Sequence, residues 1–199
     1  MFLRTMPHPS LRRALTGLLA VAALALPAGA APVGDDGLHK PDWLRETFLD
    51  LREDLAEATA EGKRLMVLVE QRGCIYCKRM HEEVFPDPAV DAAIREDFFV
   101  VQINMFGDVE VVDLDGTALP EKEMVRRWGL LFTPTLMFLP EEPGDAASAA
   151  EASVATMPGA FGKHTTLNLL TYVSDKVYET DEPFQKYHAR RLQEEGIIE

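Results

Sequence analysis

A continuous apolar run, Leu65-Met66-Val67-Leu68-Val69, is followed a few residues later by Cys74-Ile75-Tyr76-Cys77, and this succession constrains the chain more than any other feature. A short apolar stretch bounded by polar residues reads as a strand buried on both faces. The residues after Cys77 have helical propensity as far as Pro86. The cysteines therefore stand where a buried strand turns into a helix. There the first thiol meets unpaired backbone N–H groups and the positive end of the helix dipole, which favour its thiolate. The second lies one turn along, close enough to close a disulfide. Cys74 is then the exposed nucleophile and Cys77 the buried resolving thiol. Cys74 would attack a substrate disulfide, a mixed disulfide would form, and Cys77 would expel the reduced product.

Three other uses of the pair compete. A structural disulfide is one, although a small ring between strand and helix makes an odd staple. Haem attachment requires a His directly after the second Cys, and that residue is Lys78. A metal site is the third: Cys74, Cys77 and His81 form C-x2-C-x3-H and could supply three soft ligands in a metallochaperone or redox-inert binding module. The sequence places no fourth ligand, and His81 is expected on the exposed face of the helix.

Two cysteines in 199 residues are too few for a disulfide-stapled scaffold or a four-thiolate zinc site. Twenty basic against 33 acidic residues give a charge of −13, which repels phosphate backbones and anionic headgroups. No nucleic-acid partner is expected. Residues 1–30 carry Arg4, Arg12 and Arg13, an uncharged run from Ala14 to Leu26, and Pro27-Ala28-Gly29-Ala30. These are the parts of a signal peptide, with cleavage expected after Ala30. An uncleaved anchor is the rival, but the run is shorter than the roughly 20 residues a spanning helix needs. Adjacent Arg12 and Arg13 leave the export route unassigned. The mature chain keeps 33 acidic residues and loses only those three arginines, so its charge falls to −16. A periplasmic location follows, where a cysteine pair can carry redox chemistry.

Along the mature chain, Pro32 to Lys40 reads as a mobile leader. From Asp42, the residues Leu44, Phe48, Leu51, Leu55 and Ala58 recur at steps of four and three, predicting a helix capped by Asp42 and ended near Gly62. Asp87-Pro88 starts a helix through Arg95, and Phe98 to Ile103 is a second buried strand. Asp115-Gly116 marks a hairpin between Val111-Val112 and Leu119. Glu121 to Trp128 is a helix stopped by Gly129. Leu136 to Leu139 is a third strand, paired with Ser153 to Thr156 across an exposed loop from Glu141 to Ala152. Thr165 to Tyr178 is a helix, and the polar tail after Pro183 has a surface role. The divisions expected are 1–30, 31–62, 63–180 and 181–199. Alternating strands and helices, then an antiparallel pair and a last helix, predict a small α/β sandwich with a mixed sheet.

Over Lys63 to Tyr178 the chain resembles thioredoxin-fold thiol-disulfide oxidoreductases. The likeness rests on the apolar strand, Gly73-Cys74-Ile75-Tyr76-Cys77-Lys78, Thr133-Pro134-Thr135 before an apolar strand, and Met157-Pro158-Gly159 before the last helix. Glu70-Gln71, Tyr76 and the export signal are similar to periplasmic thioredoxins of bacterial sulfur-oxidation systems, the SoxW type. The resemblance implies a three-layer sandwich around a mixed central sheet, no cofactor, and a monomer. Its implied partners are disulfide-containing client proteins and a membrane thiol-electron donor, with reduction as the direction. It also implies a cis Thr133-Pro134 bond facing the cysteines, where backbone groups are free to pair with an extended peptide; an ordinary trans proline at a strand start is the alternative. The substrate rim is expected at Gly73, Ile75, Tyr76, Thr133 and Pro134.

Two departures stand out. The buried Asp usual six residues before the first Cys is Leu68 here. Glu70, on the same strand face, either replaces it as proton acceptor for Cys77 or is solvated at the strand end. The Trp usual before the first Cys is Gly73, leaving the rim more open. Arg72, Lys78 and Arg79 flank the pair, either favouring the thiolate or forming a solvated face.

Overall fold

The computed structural model describes Met1 and residues 31–197. The expected signal peptide, and with it the export route, lies outside the described residues. No described helix is long and apolar enough to cross a membrane.

The apolar run forms β1 (Arg64–Glu70), buried at all seven positions. It pairs in parallel with β2 (Phe98–Asn104) and antiparallel with β5 (Thr135–Phe138), which in turn pairs with β6 (Ala155–Pro158). The four-stranded order is β2-β1-β5-β6. Strand alternation explains why β1 had to be continuously apolar. Met66 and Leu68 enter one core with Val100, Leu136 and Phe138, while Leu65, Val67 and Val69 enter another with Phe99, Val101 and Met137. The first core is closed by α3 (Pro88–Asp97), α6 (Lys163–Ser174) and α7 (Phe184–Glu194). The second is closed by α1 (Leu51–Ala60) and α4 (Glu121–Arg127). A separate hairpin joins β3 (Glu110–Val112) to β4 (Ala118–Pro120) through Gly116. The mixed α/β sandwich expected from the sequence is the fold observed.

Several local expectations are corrected. The first helix starts at Leu51, not Asp42, with Asp50 as the cap that accepts from Arg52 N at 3.1 Å. Residues 42–50 form no helix: Asp42 and Trp43 make a turn, Leu44 bridges to Val100 in β2, and Arg45 N donates to Val100 O at 2.8 Å. Covering the open edge of β2 outweighs the helical spacing of Leu44 and Phe48, and Phe48 is left exposed. The leader is not loose. Val33 bridges to His39, Leu38 is buried, and Arg72 Nη2 donates to Asp35 O at 2.9 Å. The 141–152 loop carries a short helix, α5 (Ala149–Ala152), because buried Asp113 accepts both Ala149 N at 2.7 Å and Trp128 Nε1 at 2.8 Å. Helix α6 ends earlier than expected, where Lys176 takes a left-handed conformation. The tail is more than surface, since α7 seats buried Tyr187 edge-on to Tyr172.

Candidate active site

Gly73 makes the turn out of β1 with φ +71°, a conformation that costs a residue with a Cβ about 1–2 kcal/mol. The turn sets Cys74 as the cap of α2 (Ile75–Arg79), extended at φ −72° and ψ 110°. Its Sγ accepts the Cys77 backbone N–H at 3.0 Å, one of the otherwise unpaired donors of the first helical turn. The two cysteines are joined as a disulfide, their Cα atoms 5.2 Å apart. Cys74 is 7% exposed and Cys77 1%, so the first sulfur is the more open of the two, though it offers less surface than the exposed nucleophile expected.

The Thr133–Pro134 bond is cis. Thr133 Oγ1 donates to Cys74 Sγ at 3.3 Å, and the Thr133 carbonyl oxygen lies 3.5 Å from the same sulfur. The structure therefore brings Gly73, Cys74, Ile75, Tyr76, Cys77, Thr133 and Pro134 to one end of the sheet. Around them Ile75, Tyr76, Leu131, Phe132 and Phe161 are exposed. The last three were not anticipated, although apolar residues flanking Thr133-Pro134 and following Gly159 were the available signal.

The flanking cations do not converge on the sulfur. The Arg72 guanidinium is spent on leader carbonyls, Lys78 pairs with Glu82 at 3.6 Å, and Arg79 pairs with Glu83 at 3.1 Å. The solvated-face reading holds, and the helix end with its N–H groups is what remains to favour a thiolate.

Glu70 is fully buried, not solvated at the strand end. It accepts from Gln102 Nε2 at 2.7 Å, and its two oxygens lie 3.0 and 3.2 Å from His81 Nε2. His81 is also buried at 1% exposure, against the expectation of an outward-facing residue. The cause is local: after Arg79 the helix continues as a π-helical turn (Met80–Val84), with Phe85 N donating to Met80 O at 2.8 Å. The wider turn carries His81 under the leader, where it stacks on His39 at 4.4 Å and meets Phe85 edge-on at 5.0 Å. Burial, and behind it the neighbouring His81, hold His39 below the ordinary imidazole range. The C-x2-C-x3-H triad is not what converges. Among the described residues, the side chains able to share a metal are His39, Glu70 and His81.

Comparison with known proteins places these features in a family. The family described as thioredoxin-like domain matches residues 51–173. No curated protein matches the chain. Among solved structures, a thioredoxin-fold protein from Helicobacter pylori is similar at 17% identity and a TM-score of 0.48, covering 66% of this chain and 81% of its own. A thioredoxin from Thermus thermophilus is similar at 28% identity and a TM-score of 0.48, covering 64% and 85%.

Proposed function

From the premise that the chain belongs to the thioredoxin-like domain family, and is a thiol-disulfide oxidoreductase working through Cys74 and Cys77, we propose that it is an exported protein-disulfide reductase of the periplasm. The observation that carries the reading is the placement of Cys74 Sγ. It caps a helix, accepts the Cys77 N–H at 3.0 Å, and faces Thr133 at the edge of an apolar rim. A sulfur so placed is favoured as thiolate, and the rim offers contact area to a client peptide.

The reaction balances as two exchanges. The Cys74 thiolate attacks one sulfur of the client disulfide, forming a mixed disulfide and releasing the client's other sulfur as thiolate. The Cys77 thiol then gives its proton to Glu70, and its sulfur attacks Cys74, freeing the second client thiolate and closing the Cys74–Cys77 disulfide. Glu70 fits this task as the buried carboxylate on the strand that leads into α2. The oxidised pair is returned to dithiol by a membrane thiol donor. The backbone beside Pro134 and the surface of Gly73, Ile75, Tyr76 and Thr133 hold the client chain.

Reduction as the direction, and membership of the SoxW-type periplasmic thioredoxins, are supported by Glu70-Gln71, Tyr76 and the signal-like residues 1–30. The test is trapping in the periplasm of an expressing cell. A Cys77→Ser variant accumulates mixed disulfides with client proteins through Cys74, and a Cys74→Ser variant accumulates none. Trapped species in neither variant would contradict the reading, as would retention of the chain in the cytoplasm with residues 1–30 attached.

A further inference from the structure

The disulfide chemistry uses Glu70 but leaves the two imidazoles beside it without a role. His39, Glu70 and His81 each present a donor atom within 4.8 Å of the others, although they come from the leader, the end of β1 and the π-helical turn. Two imidazoles and a carboxylate suit a borderline divalent ion such as zinc. We propose that His39 and His81, with Glu70 as their carboxylate, form a divalent metal site that fastens the leader to the redox-active helix.

The His81 ring is not fully partnered within the protein. His81 Nδ1 is buried and has no hydrogen-bond partner, whereas Nε2 faces both oxygens of Glu70. An ion seated between Nε2 and the Glu70 carboxylate replaces that hydrogen bond and takes His81 in the tautomer that carries its hydrogen on Nδ1.

Glu70 is itself held in place, since Gln102 Nε2 donates both to its carboxylate and to the His39 carbonyl at 2.9 Å. The His39 ring is the adjustable part. It is only half-buried and lies nearly parallel to His81, at an interplanar angle of 14°, so ligation turns it out of the stack. Ligands on one zinc stand about 3.3 Å apart, so the donors close by roughly 1 Å or more. His39 also lines a cavity of about 390 Å³ shared with Gly73, Cys74 and Ile75. No thiolate is required, so the site is available while Cys74 and Cys77 are oxidised. Glu70 acts as the proton acceptor described above only in the metal-free protein.

Zinc titration of the chelator-stripped, disulfide-form protein by calorimetry tests the site. The expected result is one saturable equivalent with a Kd of about 1 µM or tighter, weakened about tenfold or more in His39→Ala and unchanged in His164→Ala. His39 is chosen because its half-buried ring can be removed without opening the core. In the unmutated protein, the ring resonances of His39 and His81 shift on zinc addition while those of His164 and His188 do not. Absence of saturable binding, equal affinity in His39→Ala, or shifts at His164 and His188 instead would overturn the proposal. Because the titration involves no disulfide exchange, it stands or falls apart from the reductase reading.

Discussion

Thr133 Oγ1 stands 3.3 Å from Cys74 Sγ, a hydroxyl from the Thr-Pro loop aimed at the sulfur that caps α2. A hydrogen bond to sulfur favours the thiolate over the thiol. Thr133→Val keeps the shape and removes the donor. The Cys74 thiol pKa should rise by about half a unit to one unit, the equivalent of roughly 1 kcal/mol. The pH dependence of alkylation measures it, and an unchanged midpoint would show the hydroxyl to be idle.

Gly73→Ala tests the turn. A Cβ there meets no neighbouring atom, so the penalty comes from the backbone at φ +71° alone. The expected loss is about 1–2 kcal/mol, read by urea unfolding of the oxidised protein. A neutral substitution would mean the turn relaxes without cost.

Asp54, buried in α1, sets a pH dependence. Burial, aided by Asp50, Glu57 and Glu53 and opposed by a hydrogen bond from Thr47, pushes its carboxyl up to about 6. The folded state holds this proton more tightly than the unfolded chain. Its contribution to stability is therefore complete below about pH 4 and lost as pH rises through 6. Asp54→Asn should stabilise the fold at pH 8 by about 1–3 kcal/mol and give little at pH 4. An equal gain at both values would assign the effect to something other than the proton.

Glu70→Gln keeps the buried shape and an acceptor for its neighbours but removes the base. If Glu70 takes the Cys77 proton, breakdown of the mixed disulfide should slow by about a hundredfold at neutral pH, with attack by Cys74 much less affected. Stopped-flow release of a preformed mixed disulfide separates the two steps. Equal slowing of both would make Glu70 a structural residue.

The central strands were legible because burial on both faces leaves a continuous apolar run, as in Leu65 to Val69 and Phe98 to Val101. The cysteine pair was legible because its spacing matches one helical turn beyond such a strand. The stretch from Asp42 was not. Leu44 and Phe48 fit a helical period, yet Leu44 serves an open sheet edge and Phe48 points outward, a choice made by β2 and not by local preference. The surroundings of Glu70 were half legible: the acid was seen, but its partners depend on a π-helical turn and on Gln102, a polar residue inside a buried strand. Neither periodicity nor composition signals that pairing.

The assignment rests on Cys74 being the reactive sulfur at the start of α2. Its most direct test is alkylation of the reduced protein across pH, with the modified residue identified by mass spectrometry. Cys74 should react first, with an apparent pKa below the roughly 8.5 of a free thiol, while Cys77 stays protected until the protein unfolds. Equal reactivity of both thiols, or a Cys74 midpoint at or above the free value, would contradict it.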